Sequence, residues 1–511
     1  MKDKMGNIQL YKNIFMNISA FLVQFIISFY ISPIIVKGVG GPSAYGFIGL
    51  ANDFVSYATI ISSVFNSVAA RFIAKAFYEE DYEKANRYFN SLIVTNFVLA
   101  GVFSVISIVL VPNLDSFISI PADIMFDVKL TFSLVFLSYI ITLVTTVFTT
   151  STFVSNRTDI AGIRNIIQHL IRFALIIVFL NFVSIKLYWV SCATLAATIV
   201  VAIMNVRLTK VLTPEIHFDL RKAKRKYAFT LAKSGCWMAL TSISTILLRG
   251  LDLTIANVLL GDYDMGILSI ARTFPNNITA IIGTIAPIFT PVFIAMYAKR
   301  DDVNLDKKIK DSISIVAVIM FVPITGFIIY SNDFYTLWQS SLKPEEIAVI
   351  TTLSTITVVQ AYFNSTTSTL AQLSVVANKL RLPVFISLFC GIASVLLDII
   401  LIQFTSLGIY AIAISPTIVM IVRYVVFNSF YGAYCVEKPK LHYIGTVVKT
   451  WCVVPLLFVV MFTVHKFIPG TSWVMLIISA GISAVIGYII MAVIYQRKMV
   501  VKLIAKLARK K

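Results

Sequence analysis

Charge is scarce in this chain. Only 13% of its 511 residues are Asp, Glu, Lys or Arg, and 58% are hydrophobic. That charged share is about half of what a soluble domain carries. A water-soluble chain of this size could not hide so much apolar surface, which excludes a soluble enzyme or a nucleic-acid-binding domain, and a disordered chain as well. Histidine is scarcer still, with four residues in all. No HExxH pair and no GxxxxGK[ST] loop occur, and no Ser-His-Asp relay can be placed, so a metalloprotease, a nucleotide-driven ATPase or a hydrolase has no motif to rest on. Cys192, Cys236, Cys390, Cys435 and Cys452 all fall in apolar stretches and form no CxxC pair. They read as small packing residues rather than as a disulfide framework or a zinc site. Long loops are missing too: no expected outer loop exceeds roughly 16 residues. Membrane-embedded polysaccharide polymerases and glycosyltransferases carry their chemistry on sizeable loops, so that alternative class is disfavoured.

What the chain has is apolar runs of membrane-crossing length. Fourteen can be marked, from 13–36 and 46–70 at the start to 445–465 and 473–495 at the end, each near or above the ~20 residues a bilayer requires. Lipid offers backbone amides no partner, so each is expected to be helical. The first run follows Lys2, Lys4 and Lys12 but is long for a signal sequence and lacks a small-residue cleavage site, so it is read as helix 1. With both termini placed in the cytoplasm, the outer segments hold only Lys37, Lys129, Lys186, Lys343 and Lys466, while the inner ones hold most of the other Lys and Arg. That asymmetry is the positive-inside signature. It accounts for most of the +19 net charge without a nucleic-acid partner.

The chain also repeats itself. Gly41 and Gly46 match Gly261 and Gly266, 220 positions on, and Phe72-Ile73-Ala74 returns as Phe293-Ile294-Ala295 with a one-residue slip. Charged segments follow in both copies, EEDYEKANR at 79–87 and KRDDVNLDKKIK at 299–310. Six helices separate the copies, so both have the same orientation: a parallel repeat of the kind that places a transporter's substrate between its halves. RKAKRK at 221–226 lies at the natural joint.

Two segments, NIFMNISAFLVQFIISFYISPIIVKGVGGPSAYGFIGLA at 13–51 and LLRGLDLTIANVLLGDYDMGILSIAR at 247–272, carry a likeness that runs along nearly the whole chain. Through them the chain resembles the polysaccharide flippases of the O-antigen type, whose superfamily also holds the multidrug and toxin extruders and the lipid II flippases. The resemblance implies an all-α polytopic membrane protein that works by alternating access. Its two six-helix bundles, here 1–212 and 229–436, would be joined by a basic cytoplasmic linker at 213–228. Two additional helices would follow in 437–495, with a basic amphipathic tail at 496–511. Rivals within the superfamily are a cation-coupled multidrug exporter and a lipid II flippase.

Ionisable groups at membrane depth cost several kcal/mol and are functional hypotheses by default. Arg164, Gln168 and Arg172 lie at i, i+4 and i+8 on one face of a helix, with Asn165 and His169 beside them and Ile163, Ile166, Ile167 and Leu170 opposite. Arg172 falls roughly 18 Å from the cytoplasmic end, too deep to snorkel. Arg249, Arg272 and Arg423 add to this set, against Asp53, Asp252 and Asp398. An arginine surplus suits an anionic ligand, since guanidinium forks grip phosphate oxygens; an exporter of organic cations would favour carboxylates and aromatics. Arg164, Gln168, Arg172, Arg249 and Arg272 are therefore the expected contacts of a polyprenyl-pyrophosphate-linked glycan. Asp252 and Asp398, with Ser394, are candidates for coupling to a sodium or proton gradient, as the resemblance to lipid II flippases implies. The chain departs from that branch in having no amide one turn before Asp398. Prolines at 275, 287, 291, 323, 416 and 455 are expected to bend helices. The tail QRKMVVKLIAKLARKK is expected to lie on the anionic inner leaflet. The whole reads as a non-enzymatic, multi-pass protein of the bacterial plasma membrane without a resident cofactor, whose partners would be membrane lipids, a polysaccharide polymerase and glycosyltransferases.

Overall fold

The computed structural model describes residues 23, 26–155 and 157–495; most of the first expected span and the tail at 496–511 lie outside the described residues. Among the described residues all regular structure is helical. Twelve helices are long and apolar enough to cross a membrane, thirteen if one bent pair is a single span. In order they are α1 Ile26–Tyr78, α2 Tyr82–Leu110, α3 Met125–Val154, α4 Asp159–Val183, α5 Tyr188–Leu212, the bent α6 Arg225–Arg249, α7 Asp262–Ala298, α8 Asp302–Trp338, α9 Pro344–Val376, α10 Arg381–Phe404, α11 Ile409–Cys435, α12 Ile444–Phe467 and α13 Trp473–Tyr495. The 53 residues of α1 would make about 80 Å of helix, more than twice the hydrocarbon core. They are broken by a π-helical turn at Val36–Gly40 and by Gly41 at φ +70°, so the first two expected spans meet there with no intervening loop.

The chain forms two compact units, residues 1–269 and 270–511. In the first, α6 lies along α1 and is bent by 46° between Arg225–Cys236 and Met238–Leu248. Gly235, just before that bend, makes the packing possible: a Cβ there would sit 1.6 Å from the carbonyl oxygen of Val64. The repeat-matched glycines also touch. A Cβ on Gly46 would come within 2.9 Å of the Gly266 Cα, and one on Gly266 within 2.2 Å of the Pro42 carbonyl carbon. In the second unit, α8 packs against α9, α12 and α13. The Tyr330 hydroxyl of α8 shares hydrogen bonds with Ser479 and Ser483 of α13, at 2.8 and 2.7 Å. Asp333 Oδ2 takes His465 Nε2 at 2.8 Å and the Gly470 amide at 2.9 Å. Toward the other end of α8, Asp306 Oδ1 meets His442 Nε2 at 2.7 Å. These contacts attach the two additional helices.

The repeat reappears in backbone detail. Glu80 and Arg300, 220 positions apart, have φ of 60° and 54°. The next residue in each copy is an Asp that caps the following helix, Asp81 accepting from the Lys84 amide and Asp301 from the Asn304 amide. The Asp81 and Asp301 amides bond back to Ala76 and Met296, closing the same helix-ending turn. In the short connection before α3, Asp115 pairs with Lys129 at 2.6 Å, which holds its carboxyl below the ordinary carboxylate range.

Candidate translocation site

The stripe expected on α4 exists, but its members have different surroundings. Ile163 and Leu170 are exposed on the outside of the unit, while Arg164, Gln168 and Arg172 are half-buried. Arg164 is occupied: Nη1 donates to Asn205 Oδ1 of α5 at 2.6 Å, and Nη2 to Asn165 Oδ1 at 3.0 Å. Arg172 is not. Its Nε is buried and has no hydrogen-bond partner. An unsatisfied buried guanidinium nitrogen costs more than a neutral group in that state.

The other expected residues divide between the units. In the first, Asp252 opens the short helix Asp252–Leu259 and is engaged by neighbouring groups. Beside it the Tyr57 hydroxyl of α1 binds the Gly250 carbonyl at 2.5 Å and Thr254 Oγ1 at 2.8 Å. The side chain of Arg249 lies outside the described residues. In the second unit, Arg272 is half-buried on α7 and likewise engaged. Arg423 begins a π-helical turn, Arg423–Asn428, and donates from Nη2 to Ser387 Oγ of α10 at 2.7 Å. Ser394 and Asp398 of α10 are buried, 2% and 1% exposed. Asp398 has an interaction with a neighbour, yet its Oδ1 is buried without a hydrogen bond. Among the described residues no three His, Cys, Asp or Glu side chains gather as a metal site.

Two features escaped the sequence reading. One is Asn205, the partner of Arg164. The other is a buried hydroxyl row on α9, Ser365 through Thr369, with Gln360 above it; Gln360 Oε1 and Thr369 Oγ1 are buried without hydrogen bonds. Its signal was visible as five successive Ser and Thr residues inside an apolar run.

Helices of membrane-spanning length define a class, the multi-pass membrane proteins. Within it, the chain belongs to the polysaccharide biosynthesis protein family, whose model matches residues 10–297. It is similar to the uncharacterized membrane protein EpsK of Bacillus subtilis (strain 168), with 24% identity over 425 residues, 81% of each chain. An inward-facing multidrug resistance MATE family transporter of the MOP superfamily superposes with a TM-score of 0.69 at 16% identity, covering 83% of this chain and 98% of that one. The lipid II flippase MurJ, in an inward closed conformation, gives 0.66 at 14% identity, covering 95% and 100%. Identities this low establish a shared fold. The protein is thus a member of the polysaccharide biosynthesis protein family that shares the fold of those two proteins, a multi-pass protein of the bacterial plasma membrane.

Proposed function

We propose that this protein flips polyprenyl-pyrophosphate-linked oligosaccharide repeat units from the inner to the outer leaflet of the bacterial plasma membrane, for surface polysaccharide synthesis, by alternating access. The observation that carries the reading is Arg172, a cation at membrane depth whose Nε is buried and unpartnered. A pyrophosphate supplies the anionic oxygens it lacks. The polysaccharide family supports a glycan cargo and the shared flippase fold supports translocation. Arg164 shapes the stripe through Asn205, and Gln168 offers amide contacts to sugar or phosphate. Arg249 and Arg272 are further candidate contacts for the anionic cargo, and Asp398 with Ser394 is the candidate for the coupling cation. The chain performs no bond chemistry in this scheme.

The test is the pool of lipid-linked glycan in cells lacking the gene, read by mass spectrometry of extracted lipid. Complete single repeat units should accumulate facing the cytoplasm while surface polysaccharide disappears. Units trapped on the outer face would point to a polymerase instead. An unchanged pool with new sensitivity to cationic drugs would point to an exporter and overturn the reading of the arginines.

A further inference from the structure

Residues 215–224, within the basic linker, are fastened to α2. Asn86 and Asn90, both buried, read the segment's backbone as a neighbouring strand would. Asn86 donates from Nδ2 to the Glu215 carbonyl at 2.8 Å and accepts from the His217 amide at 2.7 Å. Asn90 donates to the His217 carbonyl at 2.9 Å and accepts from the Asp219 amide at 2.8 Å. Ser91 then takes the Lys224 amide at 2.9 Å and returns its own hydroxyl to the Lys224 carbonyl at 3.1 Å. Six hydrogen bonds therefore fix where Lys224 and Arg225 stand.

They stand at the rim of an open groove of about 580 Å³ between α2 and the start of α6. Val94, Val98 and Phe229 line it and are exposed, while Ser91 and Thr95 lie near the rim. From Ser91 to Leu99 the groove follows α2 for about 12 Å, within the ~15 Å of one hydrocarbon leaflet. The Lys224 and Arg225 side chains are exposed and have no ion pair among the described residues. Asp219, the acidic residue nearest in sequence, caps the Arg221 amide. Lys224, Arg225 and Lys226 also crowd the N-terminus of α6, which has no acidic residue in its first turn. Cations at that end oppose the helix dipole, so their fixed placement calls for an external anion.

We propose that this groove is a binding site for an anionic phospholipid of the inner leaflet, with one acyl chain against Val94, Val98 and Phe229 and the headgroup phosphate held by Lys224 and Arg225. Basic rims on apolar clefts at the cytoplasmic face suit lipids of this kind. The basic tail at 496–511 has the wrong charge to occupy it. The site is separate from the arginines of α4 and does not depend on the flipping assignment.

Native mass spectrometry of the full-length protein in detergent tests this, titrating phosphatidylglycerol against phosphatidylcholine. Wild type should retain phosphatidylglycerol preferentially. The Lys224→Ala/Arg225→Ala double variant should bind it about tenfold more weakly, and Val98→Trp, which fills the groove and keeps both charges, should also lose it. Lys438→Ala/Lys440→Ala, in another basic loop, should bind as wild type does. Equal retention of the two lipids, or unchanged binding in the double variant, would overturn the proposal. Displacement of phosphatidylglycerol by geranylgeranyl pyrophosphate at equal concentration would overturn the phospholipid assignment in favour of an isoprenoid pyrophosphate.

Discussion

At the scale of single residues, the two arginines on one stripe of α4 should separate under mutation. Arg164 has a hydrogen-bonded home on Asn205, and a bond to a charged group is worth about 1.5–3 kcal/mol. Arg164→Ala should therefore lower the unfolding temperature of the purified protein and its steady-state amount, and Asn205→Leu should do the same. Arg172 has no such home for its Nε. Arg172→Ala removes a costly buried charge, so the protein should be as stable as wild type or slightly more so, while surface polysaccharide falls at least about tenfold. Arg172→Lys should rescue little, because an ammonium cannot grip two phosphate oxygens as a fork does. Full transport by Arg172→Ala would remove the central argument for an anionic cargo. The stripe itself was legible in the sequence, since i, i+4 and i+8 share a helix face whatever surrounds it. Which arginine was already satisfied was not: Asn205 is 41 residues away on a different helix, and no pattern within one helix reports a partner on another.

At the scale of elements, length and hydropathy placed nearly every helix, because a bilayer admits little else. The interruptions were harder to read. The π-helical turns at Val36–Gly40, Phe179–Val183 and Arg423–Asn428 and the bend in α6 alter hydrogen bonding without altering apolar content. Pro275, Pro323 and Pro416 do lie inside helices, as the expected bends require, whereas Pro287 and Pro291 start a 3₁₀ turn and the helix after it. Gly235 gives the most direct test of helix packing. Its missing Cβ faces backbone rather than a flexible side chain, so α1 and α6 would have to separate. Gly235→Ala should cost about 3 kcal/mol, the upper part of the overpacking range, seen as a lower unfolding temperature in detergent. The fastening of residues 215–224 was invisible to periodicity because it is made by side-chain amides on α2 binding backbone elsewhere. Asn86→Leu/Asn90→Leu should release the segment, and brief trypsin treatment should then cut within 221–226 much faster than in wild type. Equal cleavage rates would mean that the amides do not hold it.

At the scale of the whole molecule, the charge asymmetry and the 220-residue repeat were both legible because they are sums over many positions and tolerate local error. The same turn at Glu80-Asp81 and Arg300-Asp301 shows that the repeat reaches the backbone. How the two additional helices attach was not legible. It depends on Asp306, Tyr330 and Asp333 of α8 meeting His442, Ser479, Ser483 and His465, and in sequence these are isolated polar residues. Energy supply also belongs to this scale. On the proposed function, accumulating a large anionic head on one side of the membrane against its concentration requires a source of free energy, and an ion gradient is the one to test. Asp398 provides the testable link, a buried carboxylate one helical turn from the buried Ser394. Asp398→Asn removes the charge that would attract a cation but keeps the side chain's shape. In membrane vesicles the variant should still let lipid-linked glycan equilibrate between leaflets, yet fail to accumulate it on one side when a sodium or proton gradient is imposed. Collapsing the sodium gradient and the proton gradient separately in wild type identifies the ion. Accumulation by Asp398→Asn equal to wild type would remove Asp398 from coupling and leave Asp252 as the carboxylate to test, without touching the case for the arginines.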